Sequence, residues 1–388
     1  MNYGFFDMNL MGITRYPSLI AHEILNQKTD SSFFFFYEQE GSLSEEEALA
    51  ILPVNSKLIK VQSISGYSIK RIITQSKIKI LTVMAQRIPD TAFVLGAKES
   101  GVYTIMFQHG LYIPFIKRET SLLIHQVKKV FRFVCYVNAV ASLVDKNFIA
   151  TLYNYIQVFI FGKNIKQTSL PYQKLNADHV LVYGDYWKQY HKDVFGYALS
   201  QQDVVGYPEL KSLTNENENI SAEGVCYITQ TLVEDGRLAR KILIDFMKAL
   251  SQSCQEKKLT LTIKLHPRSD LTLYKELAGV VVFEKKRFPI SDLYVGHYSS
   301  LVAKAAFITN NILLIDFPGH DIPEYIKSIS SHRFNYNEVA EFTEILASKN
   351  IKSEKIISEN KAKLKNIFGE PSLDPVQNVA TYIQGHKC

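Results

Sequence analysis

Lys264-Leu265-His266-Pro267-Arg268 ends an apolar, β-rich run that begins at Leu259. The run reads as a strand and puts His266 at its carboxyl end. A second short run ends in Gly296-His297-Tyr298-Ser299-Ser300 and opens onto the helical pattern Leu301–Ile308. Small hydroxyl residues entering a helix leave its first N–H groups free, and the helix dipole adds partial positive charge there. Such a place suits a phosphate. Two strand ends of one open α/β sheet face the same crevice, so an imidazole and a serine pair there point to a nucleotide-phosphate site.

The same alternation extends in both directions. Towards the C-terminus lie the strand Ile312–Asp316, the loop Asp316-Phe317-Pro318-Gly319-His320-Asp321 and a helical remainder, Asn337–Thr381. Upstream of Leu259 come a strand at Gly224–Thr229, a loop at Gln230–Gly236 and an amphipathic helix at Leu238–Leu250. Before these, Thr214-Asn215-Glu216-Asn217-Glu218-Asn219 is the best linker in the chain and marks a domain boundary. The N-terminal part shows strands at Ser32–Tyr37, Lys57–Gln62, Ile78–Val83, Val102–Phe107 and Asp178–Val182. Helices separate them, among them a short one that Ser44 opens ahead of three glutamates. Strands alternating with helices predict mostly parallel sheets covered on both faces. The expected fold is α/β, with two Rossmann-like domains facing across a cleft: residues 1–213 for the acceptor and 224–388 for the nucleotide donor.

The 388 residues, 46% hydrophobic and 21% charged, suit two globular domains. No apolar run approaches the roughly 18 to 20 uncharged residues that span a bilayer, and Met1–Met11 lacks the basic start of a signal peptide. Four scattered cysteines read as free thiols in a reducing cytoplasm. The net charge of +6 fits a phosphate-bearing partner or an anionic surface.

Residues 117–168 differ in character. Eight lysines and arginines face only Glu119 and Asp145, with Phe131, Phe133, Tyr136, Phe148, Tyr153, Tyr155, Phe159 and Phe161 interspersed. This composition fits a helical element resting on anionic lipid, or a core-packing insert with a solvated face. No nucleic-acid fold signature accompanies the charge.

A second imidazole stands at a strand end in Gln108-His109-Gly110, where glycine permits a tight turn. The loop Glu234-Asp235-Gly236-Arg237 adds two carboxylates. This inventory fits glycosyl or phosphoglycosyl transfer. A nucleotide-phosphate leaving group needs preplaced donors, which Lys264, His266, Arg268, Ser299, Ser300 and the helix entrance would supply. Pro267, beside His266, belongs to the same donor-binding set, and His320 stands at another strand end to meet ribose or sugar. The acceptor hydroxyl needs a base, for which His109, Asp235 and Glu234 are candidates. Arg87 and Asp90 would line the acceptor side. No Asp-x-Asp, zinc-spaced cluster, P-loop, G-x-G-x-x-G or G-x-S-x-G occurs. A metal-independent reaction without a cofactor is therefore expected.

Lys264-Leu265-His266-Pro267, followed 33 residues after His266 by Ser299-Ser300, resembles the His-Pro and Ser-Ser motifs of bacterial two-domain (GT-B) transferases that use cytidine nucleotides. These include sialyltransferases and polysialyltransferases, Kdo transferases and CDP-glycerol glycerophosphotransferases. The resemblance implies that His266, Ser299 and Ser300 contact the donor's phosphate and cytidine. Gln108-His109-Gly110 is similar to the glycerophosphotransferases' His-Gly motif, which implies His109 as base, although Leu111-Tyr112 replaces the usual following residues. Val205-Gly206-Tyr207-Pro208 resembles their segment leading into the second domain. Glu234-Asp235-Gly236 spells the acidic motif of the sialyltransferases, but it opens the second domain here and belongs to the first there. The resemblance covers roughly residues 80–325.

The expected activity is transfer of a sialic-acid-like or Kdo-like sugar from a CMP-activated donor to a glycan, or lipid-linked glycan, of a bacterial surface polysaccharide. The enzyme would be cytoplasmic and peripheral at the inner face of the plasma membrane. The alternatives are transfer of polyol phosphate from CDP-glycerol or CDP-ribitol, and a non-catalytic polysaccharide-binding scaffold.

Overall fold

The computed structural model describes residues 1–112, 123–210, 219–221, 224–274, 277, 281–284, 287–309, 311–338 and 354–386. It divides into two units. Met1–His109, Leu122–Pro208 and Phe368–Cys388 form the first, and Gly110–Ser121 with Glu209–Ile367 form the second.

The first unit holds seven strands: β1 (Asn2–Phe6), β2 (Ser32–Tyr37), β3 (Ser56–Lys60), β4 (Ile80–Val83), β5 (Tyr103–Phe107), β6 (His179–Val182) and β7 (Gln202–Val204). They lie in the order β3-β2-β1-β4-β5-β6-β7, and every neighbouring pair is parallel. Parallel strands covered on both faces become near-continuous apolar runs, which accounts for the phenylalanines of β2. Phe33, Phe35 and Phe36 are fully buried. Phe5 stacks on Phe35 across the β1–β2 register at a centroid distance of 5.3 Å, and Phe6 stacks on Phe93 at 3.8 Å. The helix Glu45–Ile51 begins as its sequence anticipates, with Ser44 and Glu47 closing a capping box.

The second unit contains β8 (Asn219–Ser221), β9 (Val225–Ile228), β10 (Leu261–Lys264), β11 (Val281–Glu284), β12 (Phe288–Ile290), β13 (Leu293–Gly296), β14 (Ile312–Asp316) and β15 (His332–Asn335). Six of them form a parallel sheet in the order β11-β10-β9-β13-β14-β15, and β8 pairs with β12. Both large sheets thus grow outward from a first strand and then reverse. Each has a switch point beside that strand, between β1 and β4 in one and between β9 and β13 in the other.

The domain expectation is corrected at two places. The second domain was drawn as 224–388, yet Phe368–Cys388 returns to the first unit. There the helix Pro375–Gly385 buries Val379, Ala380 and Ile383, and Gln384 donates to the Ile24 carbonyl at 3.0 Å. An amphipathic helix joins whichever unit completes its apolar face, and distance along the chain has no say in that. Conversely, Tyr112 was drawn in the first domain but belongs to the second unit, where Tyr325 donates to its carbonyl at 3.2 Å.

The basic, aromatic segment is helical over Leu123–Leu143 and Phe148–Phe159; residues 117–122 lie outside the described residues, as do linker residues 214–218. Its inward face is core: Tyr136, Val137, Ala139, Val140 and Ala141 are buried. Gly66 allows the close approach, since a Cβ there would lie 3.1 Å from the Ala139 carbonyl. Arg132 pairs with Glu38 at 3.3 Å, and Tyr136 donates to the same carboxylate at 3.0 Å. Val127, Val130, Phe131, Ile149, Tyr153, Ile160 and Phe161 remain exposed. Lys129, Lys146, Lys163 and Lys166 are exposed as well. Among the described residues no helix is long and apolar enough to cross a membrane.

The returning C-terminus turns at Gly369, whose φ is +80° and whose Cβ, if present, would sit 2.5 Å from the Tyr183 carbonyl oxygen. Left-handed backbone disfavours a Cβ by about 1–2 kcal/mol even without a clash. Gly369→Ala should therefore lower the unfolding free energy by at least about 2 kcal/mol in urea denaturation.

Candidate functional site

The carboxyl edge of the second sheet gathers most residues that the sequence singles out. Four loops emerge there, after β9 (Thr229–Arg237), β10 (Leu265–Asp270), β13 (His297–Ser299) and β14 (Phe317–Asp321). The β9 and β13 loops flank the switch point, with the β10 and β14 loops one strand further out on either side.

His266 leaves β10 with its backbone N–H shared between Thr229 Oγ1 at 2.8 Å and Ser269 Oγ at 3.1 Å. Its Nδ1 accepts from the backbone N–H of Arg268 at 3.1 Å. An imidazole that accepts at Nδ1 carries its proton on Nε2 when neutral. Burial, followed by the Arg268 charge, pushes its pKa below the ordinary histidine value. Near neutral pH, His266 is thus an uncharged ring with a donor N–H. Pro267 limits the backbone between them. Lys264 is buried at the end of β10, where burial lowers its pKa against the opposing charge of Glu284.

Glu234 and Asp235, expected as acid–base candidates, bind other protein groups. Arg268 donates to Asp235 Oδ1 at 3.1 Å and to Thr231 Oγ1 at 3.0 Å, and Thr231 donates to Asp235 Oδ2 at 3.0 Å. Arg237 stands 3.9 Å from the same carboxylate. Burial alone would raise the pKa of Asp235, but the bonds from Arg268 and Thr231 and both guanidinium charges outweigh it and hold the group low. Glu234 Oε1 accepts from the Asp270 backbone N–H at 2.8 Å. These carboxylates brace the β9 loop against the β10 loop.

Arg237 extends the brace. Its guanidinium donates to Tyr298 Oη at 3.3 Å, and its carbonyl accepts from His320 Nε2 at 2.6 Å. His297 is buried and donates from Nδ1 to the Ile315 carbonyl at 2.6 Å. Ser299 caps the helix Ser300–Ala305 by accepting from the Leu301 N–H at 3.2 Å. Lys304 in that helix pairs with Glu209 at 3.1 Å.

In the first unit, Gln108 is fully buried at the end of β5 and accepts from the Tyr183 N–H at 3.3 Å. The half-buried His109 ring meets Tyr16 edge-on at 5.5 Å, and Gly110 follows at φ +75°. At this unit's switch point, Arg87 bonds the wholly buried Asp90 at 2.6 Å and reaches Asp7 at 3.6 Å. Burial raises the pKa of Asp90, and the Arg87 charge opposes the rise. Sequence reasoning missed Asp7 and Glu38 as parts of these edges and, while including Arg237 in a candidate loop, gave it no role. The available signal for Asp7 was its position directly after an aromatic strand. Burial pushes the Cys226 and Cys254 thiols up to about 12, which leaves them unreactive. Among the described residues no group of three or more His, Cys, Asp or Glu side chains is arranged to hold a metal ion.

Comparison with known proteins places this geometry. The structure resembles S. aureus MnaA in complex with UDP at TM-score 0.52 and 13% identity, covering 99% of this chain and 96% of that one. It resembles the Methanocaldococcus jannaschii UDP-GlcNAc 2-epimerase in complex with UDP-GlcNAc and UDP at TM-score 0.51 and 11% identity, covering 100% of both. A variant of the wall teichoic acid polymerase TagF with CDPG matches at TM-score 0.52 and 11% identity, over 99% of this chain and 88% of that one. No curated protein matches the chain in sequence. Two parallel-sheet α/β units of this kind form the GT-B fold, which these transferases and epimerases share. Sequence then separates transferase from epimerase. The chain belongs to the alpha-2,8-polysialyltransferase family, whose model matches residues 44–281, and is a glycosyltransferase.

Because the folded pKa of Asp235 lies below its unfolded value, its stabilisation is complete above the unfolded pKa and is lost as pH falls through the folded one. Asp235→Asn should reduce stability at pH 7 by about 1–2 kcal/mol and flatten the acid limb of the profile below about pH 4. Urea denaturation from pH 3 to 7 checks both.

Proposed function

We propose that this glycosyltransferase moves a sialic-acid-like sugar from a CMP-activated donor to a glycan, with the nucleotide phosphate held at the carboxyl edge of the second sheet. The observation that carries the reading is His266: its Nδ1 takes the Arg268 N–H, so a neutral Nε2–H donor stands beside the exposed Arg268 guanidinium. The family match supports a sialic-acid-like donor over a Kdo-like one.

In the reaction, an acceptor hydroxyl attacks the anomeric carbon as the bond from that carbon to the phosphate oxygen breaks. CMP departs with the electron pair, and its growing charge needs donors already in place. His266 Nε2–H, Arg268 and the hydroxyls of Ser299 and Ser300 fill that role. Lys264 adds positive charge to the same strand end. His109 is our choice for the base that removes the acceptor proton, because the lowered pKa of Asp235 makes it a weak proton acceptor and Glu234 is tied through Oε1 to the Asp270 N–H with its Oε2 buried. Gln108-His109-Gly110 also favours a second reading, transfer of polyol phosphate from a CDP-polyol.

A thermal-shift panel of CMP, CDP, UMP, UDP and GDP tests the donor. CMP at about 100 times its Kd should stabilise the fold by about 2.7 kcal/mol. Preference for UDP over the cytidine nucleotides would overturn the assignment. Turnover should fall about 100-fold or more in His266→Ala, with weakened CMP binding, and similarly in His109→Ala, with CMP binding kept. Unchanged turnover in both variants would overturn the roles given to the two histidines, and release of CMP from a CDP-polyol would favour the second reading.

The helices Leu123–Leu143 and Phe148–Phe159 expose apolar side chains, and exposed lysines lie on the first helix (Lys129), between the two (Lys146) and after the second (Lys163 and Lys166), which fits peripheral contact with an anionic bilayer and a lipid-linked acceptor. Co-sedimentation with phosphatidylglycerol vesicles should fall at least about tenfold when Lys129, Lys146, Lys163 and Lys166 are all changed to Glu, since each basic residue contributes about 1 kcal/mol near such a surface. Equal binding to neutral vesicles would count against the electrostatic part.

A further inference from the structure

At the β13 and β14 mouths, two buried histidines are each half satisfied. His297 is 2% exposed and His320 is 6% exposed. Each commits one ring N–H to a carbonyl, His297 Nδ1 to Ile315 and His320 Nε2 to Arg237. A carbonyl only accepts, so in the neutral ring the second nitrogen carries a lone pair. Those second nitrogens, His297 Nε2 and His320 Nδ1, are buried without a hydrogen-bond partner among the described residues. So is the donor Arg237 Nε–H. The two imidazoles stand perpendicular, 5.9 Å between centroids, and Tyr298 lies against both rings. Burial pushes His297 down to about 4, so its lone pair persists across the physiological range.

Buried polar atoms in native proteins are almost always matched, and clustered exceptions call for a ligand or an ordered water. Around the two imidazoles the set is two acceptors and one donor, and Gln230 Oε1, Glu234 Oε2 and Asp316 Oδ1 at the adjoining strand ends are likewise buried without a partner among the described residues. A phosphate brings only acceptors and would face two lone pairs. An ammonium brings only donors and would leave Arg237 unmatched. A hydroxyl both donates and accepts, so a vicinal pair of hydroxyls matches in kind two imidazole lone pairs and one guanidinium N–H.

Resting on the assignment of the donor nucleotide to this sheet edge, we propose that His297, His320 and Arg237 form a diol subsite beside the phosphate donors. It recognises hydroxyls of the donor, either the ribose or the polyol chain of the transferred sugar.

His297→Asn keeps a donor to Ile315 and His320→Gln keeps a donor to Arg237, while each deletes the second nitrogen. The test is calorimetric titration of both variants and the wild type with CMP, 2′-deoxy-CMP and CMP-sialic acid, with the melting temperature of the unliganded protein as control. Each variant should bind about 3- to 10-fold more weakly, the loss of one hydrogen bond, with the melting temperature unchanged or higher. Wild-type protein that discriminates against 2′-deoxy-CMP, with the discrimination lost in the variants, assigns the ribose. Weakening confined to CMP-sialic acid assigns the polyol. If His297→Asn fails to fold, His320→Gln alone gives the answer. Wild-type affinity for CMP and CMP-sialic acid in the folded variants overturns the diol subsite and leaves the nucleotide assignment standing. A wild-type protein that binds none of the three ligands overturns both.

Discussion

The Asp235 carboxylate holds the carboxyl edge of the second sheet together. Arg268 reaches it from the β10 loop, while Thr231 and Arg237 reach it from within its own loop. Through Arg237 the grip passes to Tyr298 after β13 and to His320 after β14. Asp235 thus joins the β9 and β10 loops, while the guanidinium and the backbone carbonyl of Arg237 join the β13 and β14 loops to them. Arg268 is well exposed, so its own pair is partly screened; the strength of the brace comes from connected bonds rather than a single ion pair.

The two units solve the switch-point problem with different chemistry. In the first, charges are buried in company, with Arg87 between Asp90 and Asp7. Buried charges survive only when paired and hydrogen-bonded, and losing one partner strands the other. In the second, the charged pairs of Asp235 with Arg268 and Arg237 stand among imidazoles and hydroxyls. His266 and His297 both have lowered pKa values, chiefly through burial. Such an edge presents directional donors and acceptors alongside its charged pairs.

The GT-B fold alone would not have separated a transferase from an epimerase, since a UDP-GlcNAc 2-epimerase and a glycosyltransferase from Rickettsia africae resemble this chain at similar scores. Function resides in the residues mounted on the fold. Here the family match over residues 44–281 discriminates, and it takes in Gln108-His109-Gly110 and the His266-Pro267 pair.

Much of the architecture was legible because period and punctuation are local. Ser32–Tyr37 is β2 with the bounds its aromatic run implies, and Ser44 caps a helix because Glu47 follows three residues later. β1 was not singled out, although Phe5 and Phe6 are as buried as the phenylalanines of β2. The return of Phe368–Cys388 to the first unit was illegible, because nothing in an amphipathic helix names the surface it will cover. The same limit governed Glu234 and Asp235. Their letters match an acid–base motif, but their partners Asp270, Arg268 and Thr231 come together only in three dimensions. The sequence by itself determined most of the strands, the Ser44 cap and the placing of His266 and Ser299-Ser300 at strand ends, since backbone preference and side-chain periodicity act over a few residues. Tertiary structure alone decided which carboxylates are braces, which imidazoles are half matched and which unit claims the C-terminus, because pairing energies depend on distances through space that chain separation does not encode.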